Sequence, residues 1–265
     1  MLKTRIQVFN ETDLVKDDEI RAVLPAMETQ VHRDFAKVWG VDAELEFVEK
    51  SRGPDQDAWW IVFLKNSNQA GALGYHMVTK SGLPLGKVLM EPIIQDGSSW
   101  TNTFSHELLE MLADPDSNLV AYRQLNNRKL VLHAYEVCDP CEDDSYGYKI
   151  DGVLVSDFVY PSWFESFHKG ASTRFDHGRH IRKPFELLPG GYIDIFDAAS
   201  GKGWYMRNAG SQVKSAPTTP CSRIDLRHAP RDRWKKSEVK HRPRRERPTL
   251  SSAGRLVQVP PAQRR

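Results

Sequence analysis

The stretch from Trp100 to Asp116 constrains this chain more than any other. At about 100° per residue, His106 and Glu110 share one helical face, with Ala113 close by. Trp100, Phe104, Leu108 and Met111 line up on another face, with Leu112 beside them. Such a helix buries one side and aims an imidazole and a carboxylate from the other, as a metal-binding helix does. Glu107 projects beside the pair, where a general base toward a metal-activated water belongs. Asp96, Ser98, Ser99 and Thr101 are available as caps. The plain alternative is a surface helix whose Glu and His side chains are solvated.

A chain of 265 residues can bury a substantial core in one or two domains. Its net charge of +2 conceals an asymmetry. From Gln212 to Arg265 there are 15 Lys/Arg against 4 Asp/Glu, which leaves 22 against 31 for the rest. From about Ala209 onward apolar periodicity vanishes and Pro, Ser, Arg and Lys dominate. The expectation is a folded domain over 1–208 and a disordered basic tail over 209–265. Trp234 is the tail's only aromatic residue, so base stacking is not provided for. Non-specific contact with nucleic acid or an acidic partner is what such a tail offers. No run approaches the ~18 apolar residues of a membrane helix, and no apolar signal core follows the N-terminus. Three cysteines do not make a disulfide scaffold. A cytoplasmic location without membrane contact is the default, with virion association left open.

Along the chain, 5–9 predicts a first strand. Ile20, Val23, Leu24, Met27, Val31, Phe35 and Val38 keep helical spacing up to Gly40, and Pro25 predicts a kink or two consecutive helices. Strands follow at 43–48, 59–64, 71–78 and 84–90, the second continuous enough to be central. After the 100–113 helix the pattern turns strand-rich: 130–137, a hairpin across Asp151-Gly152, short strands at 185–188 and 192–195 around Pro189-Gly190-Gly191, and a closing segment at 204–206. The fold class expected is α+β.

His106-Glu107-x-x-Glu110 lies one residue from the His-Glu-x-x-His of zinc peptidases. The motif extends through Asp114-Pro115 to a Glu-x-x-Asp-x-Cys element, Glu136 to Cys141. With it come Gly74-Tyr75-His76, Pro161-Ser162-Trp163-Phe164 and Pro189-Gly190-Gly191-Tyr192. Together these resemble a group of bacterial and phage zincin-like proteins that carry the His-Glu-x-x-Glu variant, over roughly residues 5–206. The resemblance implies a zincin-like architecture: an N-terminal helix with a mixed sheet, an active-site helix, and an irregular strand-rich C-terminal half.

It also implies a metallopeptidase, most simply with Zn²⁺ held by His106, Glu110 and a third ligand. Glu136 is preferred for that place, with Asp139 next and Asp114 or Asp116 as alternatives. Asp114 is better suited to orienting His106 or capping the helix end. Glu110 in place of a second His weakens the ion as a Lewis acid and moves preference toward Mn²⁺ or Ca²⁺. Glu110→His would restore the common pattern on the same face. His76 or Tyr75, on a strand before the helix, could donate to a developing oxyanion. Cys138-x-x-Cys141 with His133 upstream invites a second zinc or redox reading, against two unremarkable thiols. His168, His177 and His180 read as a polar loop.

The expected function is a metal-dependent, peptidase-like hydrolase acting on peptide or protein, with Glu107 as general base. The rival is a weak or inactive zincin-fold binding or structural module whose tail contacts nucleic acid or an acidic partner.

Overall fold

The computed structural model describes residues 3–210 apart from 68–70, 80, 127–128, 171, 198 and 200–202. The expected tail therefore lies, from residue 211 on, outside the described residues. The described part is α+β, with few helices and several sheets. In order it runs β1 (Thr4–Asn10), α1 (Asp17–Thr29), a π-helical segment (Gln30–Phe35), α2 (Ala36–Trp39), β2 (Ala43–Phe47), β3 (Trp59–Leu64), β4 (Gly74–Val78), β5 (Pro84–Leu89), α3 (Met90–Asp96) and α4 (Trp100–Ala113). It continues with β6 (Val120–Asn126), β7 (Lys129–Ala134), β8 (Tyr148–Ile150), β9 (Val153–Val155), β10 (Tyr192–Asp197) and β11 (Trp204–Asn208).

Helix α1 starts on Asp17, Asp18 and Glu19, and the Glu19 carboxylate accepts the Lys16 N–H at 2.8 Å. Pro25 does not end it: the chain stays helical through the π segment and α2 until Gly40, whose φ of +72° stops it. The expected consecutive helices are thus three joined segments.

The first sheet has the order β2-β1-β3-β5-β4, parallel except for the β4–β5 hairpin. β3 is central, as its apolar run predicts. Strand alternation turns Ile61 and Phe63 into the main core, where Phe63 meets Phe104 of α4 edge-on at 5.2 Å. Trp60, Val62 and Leu64 face the other way, beside Phe9, Met77, Leu85 and Leu89. On that second face Lys87 is also buried, its Nζ donating to Tyr75 Oη at 2.9 Å. The same alternation on β4 sends Tyr75 to this face and its neighbour His76 to the α4 side, so of the expected pair only His76 reaches the helix.

Beyond α4 an antiparallel sheet runs β11-β10-β7-β6, and β8–β9 form the expected hairpin. Its turn residues Asp151 and Gly152 both have positive φ, 49° and 86°. Two expectations fail locally. Residues 185–188 are not a strand, because Phe185 sits at φ +57°, outside any extended geometry. Met90, read as the end of the 84–90 strand, instead starts helix α3, which was not expected. Among the described residues no helix is long and apolar enough to cross a membrane.

Candidate metal centre

Helix α4 is not amphipathic in its setting. Every residue from Asn102 to Leu112 is buried, with His106 at 6%, Glu107 at 4% and Glu110 at 4% exposure. This overturns the solvated surface helix. A helix buried on all sides is normally apolar throughout, so three ionisable side chains on one turn must meet a polar counterpart. They do: β4, the 136–141 segment and α4 bring His76, His106, Glu107, Glu110, Glu136 and Asp139 into one buried cluster.

The distances define its centre. His106 Nε2 lies 3.2 Å from Glu110 Oε2 and 3.3 Å from Asp139 Oδ1. Bonds of about 2.1 Å in a tetrahedral shell place ligand atoms about 3.4 Å apart, a spacing that each of these two pairs matches, although among the described residues His106, Glu110 and Asp139 do not form one mutually close ligand group. The same Glu110 Oε2 lies 3.8 Å from His76 Nδ1, and His76 Nε2 lies 3.8 Å from Glu136 Oε2. Within this cluster two three-residue groups can each hold an ion, His106, Glu110 and Cys138, and His76, Glu110 and Glu136; a third group among the described residues, Asp157, Asp176 and His180, lies outside it. Glu110 belongs to both. Asp139 thus stands nearer His106, while Glu136, the preferred third ligand by sequence, stands with His76.

Glu110 is anchored by its other oxygen. Oε1 accepts the N–H groups of Cys138 at 3.1 Å and Asp139 at 3.3 Å. Burial raises its pKa, but the His106 charge and hydrogen bond, His76 and the Cys138 N–H outweigh that and bring it to about 2. Burial lowers the His106 imidazole, yet Glu110 and Asp139 carry it well above its usual value. Glu107 and Asp139 are pushed well up, first by burial and then by the Glu110 charge, although His106 acts against it in both. Four carboxylates and two imidazoles share this volume, and among the described residues no Lys or Arg forms an ion pair with Glu107, Glu110 or Asp139. Buried anions without cationic partners are costly, and a divalent cation fits such a donor set of imidazole and carboxylate.

Glu107 lies beneath the start of β4. A Cβ at Gly74 would stand 2.6 Å from Glu107 Oε1 and 2.8 Å from its Cγ. Only glycine lets the strand pass so close. Glu107 Oε2 is buried and has no hydrogen-bond partner among the described residues; His76 Nδ1 is 3.9 Å away.

Three neighbours were not among the ligands expected for this centre. Cys138 presents a buried sulfur beside His106 and Glu110. Glu142 is pushed up by burial and then by Glu110, against His106. Tyr192 is raised by burial and then by Asp139, Glu142 and Glu110, because Gly191 lets β10 start against Pro140, where a Cβ would meet its carbonyl oxygen at 2.3 Å. Cys138 and Tyr192 each stand in an element quoted for the resemblance; nothing local marks Glu142.

Other candidates fall elsewhere. Asp114 takes the N–H groups of Asn118 and Leu119 at 2.9 and 3.0 Å, folding the loop after α4 and not orienting His106. Asp116 is exposed. His133 packs on Phe185 with ring centroids 4.5 Å apart, and among the described residues it forms no ligand group with Cys138 and Cys141. The 168–180 histidines are not simply solvated. His180 Nδ1 approaches Asp157 Oδ2 at 3.4 Å and Asp176 Oδ2 at 3.6 Å, and His177 stacks on Tyr148 at 4.7 Å. Those two aspartates accept the backbone N–H groups of Phe158, Gly178, His180 and Ile181, which folds the 176–181 loop around them.

No family model, curated protein or solved structure matches the chain.

Proposed function

We propose that the chain is a metal-dependent, peptidase-like hydrolase of zincin-like architecture, with Glu107 as its general base. The observation that carries this reading is the buried group of His106, Glu110 and Cys138, with Glu110 shared by a second such group, His76, Glu110 and Glu136. His106 and Glu110 would hold the ion with Cys138 beside them, and Glu136 stands with His76 on the other side of Glu110. Zn²⁺ is the simplest occupant, and the oxygen-rich donor set also suits Mn²⁺ or Ca²⁺.

When bound, the ion supplies Lewis acidity to a peptide carbonyl and to water. The chain supplies the rest. Glu107 Oε2, free of hydrogen bonds, receives the proton of the attacking water and returns it to the leaving amine. Gly74 holds that carboxylate against β4 and so limits its rotamers. His76, 3.9 Å from Glu107, stands where an imidazole N–H can donate to the carbonyl oxygen as charge develops. The antiparallel edge strand β4 has one side unpaired within its sheet, where an extended peptide could add as a further strand.

Elemental analysis beside digestion of a proteome-derived peptide library tests the reading, with Glu107→Gln as the decisive variant. It should keep its metal and thermal midpoint and lose turnover by about 10²–10⁴-fold. The rival, a metal-stabilised module without catalysis, is favoured by how little of the cluster is exposed. It requires wild type and variant to be equally inert while both carry metal.

A further inference from the structure

On the side of the antiparallel sheet that carries Ile193 and Ile195, three nitrogen-bearing side chains converge. His133 pairs with Ala121 and with Ile195; Arg123 is two residues beyond Ala121; Arg207 pairs with Ile193. Alternation puts all three on one face. They meet at Phe185. Arg123 Cζ lies 4.7 Å from the ring centroid, the His133 ring lies 4.5 Å from it, and Arg207 Nη2 donates to the Phe185 carbonyl at 3.1 Å. Phe185 is itself fixed at φ +57°, with its N–H on the Trp163 carbonyl at 3.1 Å.

The charges here are unbalanced. Among the described residues neither guanidinium has a carboxylate within ion-pair distance, and Asp197, the acid on the same face, is engaged by Lys129 at 3.0 Å. His133 is 1% exposed, and neither of its ring nitrogens has a hydrogen-bond partner among the described residues. A buried polar side chain without a partner calls for an explanation. Two half-buried arginines that share this face without an ion-paired acid among the described residues call for the same one.

We infer that Arg123, His133 and Arg207 form a binding site for an oxyanion, either a phosphate group or a carboxylate. The two guanidinium groups supply charge-assisted N–H donors, and His133 supplies a third donor from the floor. Burial, reinforced by the Arg207 and Arg123 charges, brings the His133 pKa to about 3, so the ring is neutral and carries a single N–H. Burial and the Arg123 charge also lower Arg207; an anion between the two would remove that repulsion. The inference does not depend on the hydrolase reading.

The test uses the full chain and two probes, inorganic phosphate and acetate, against chloride at matched ionic strength. The expected result is a saturable rise in thermal midpoint of about 5 °C at a hundredfold excess over Kd, together with a shift of the His133 ring nitrogen resonances. Arg123→Gln and Arg207→Gln should each weaken binding about tenfold or more. A response to phosphate alone assigns a phosphate-bearing ligand, and a response to acetate as well assigns a carboxylate-bearing one. Because the NMR readout is taken on the wild type, it stands even where a variant folds poorly. Absence of saturation in both readouts, or an unchanged response in the two variants, would overturn the site.

Discussion

Glu110 shows how one side chain can combine two jobs. Its Oε2 faces both imidazoles, and its Oε1 holds the backbone of Cys138 and Asp139. From sequence, Glu110→His looked like a simple ligand exchange on the same helical face. The structure corrects that: an imidazole cannot accept two N–H groups at Oε1 and also present a donor to the ion. We therefore expect Glu110→His to lower stability by about 1–3 kcal/mol for each stranded N–H, whereas Glu110→Gln, which keeps an acceptor, should lose less. Chemical denaturation of the two variants checks the order, and equal losses would refute the anchoring role.

Asp157 gives the pH dependence. Burial, then the Asp176 charge and hydrogen bond, raise its pKa to about 8, above an unfolded value of about 3.9. A raised carboxylate contributes stability that is complete below the unfolded value and lost as pH rises through the folded one. Asp157→Asn keeps Oδ1 as acceptor for Phe158 and Gly178, at 2.8 and 2.9 Å, and removes the titration. The variant should melt above wild type at pH 8 and higher and converge with it near pH 4. A constant offset across that range would remove Asp157 as the cause.

At the scale of elements, α4 was legible because its ionisable and its apolar residues obey one period within a single helix. That period identified His106, Glu107 and Glu110, but it also implied a solvated side that does not exist. What surrounds a helix depends on contacts far along the chain, as Asp139 and Tyr192 illustrate. Helix α3 escaped for another reason: the apolar residues of the 84–90 strand run straight into Met90, and the seven-residue helix is too short to show a clear period. Pro92, tolerated in a first helical turn, was the overlooked signal. Phe185 to Leu188 failed in the opposite sense, since composition suggests a strand and only the backbone of Phe185 forbids it.

Because α4 joins β4 and the 136–141 turn through the cluster, an ion there would stabilise only the assembled state. Chelation should lower the thermal midpoint of wild type, and His106→Ala should abolish the chelator effect while folding near the chelated wild-type midpoint. A midpoint that ignores the chelator in wild type would remove the linkage.

At the scale of the molecule, the two sheets were legible to different degrees. The mixed sheet announced itself through β3, whose apolar residues fill both faces. The antiparallel sheet draws β6, β7, β10 and β11 from segments up to eighty residues apart, and no local pattern announces such pairing. Lys87 carries a consequence of that first sheet. It is 2% exposed between β4 and the second apolar cluster, its Nζ on Tyr75, and burial lowers its pKa to about 8. Near that pH much of the amine is unprotonated and nucleophilic, yet no reagent reaches it while β4 stays paired with β5. Acylation of Lys87 therefore acts as a clock: its rate, read by mass spectrometry, counts how often the edge strand lifts away.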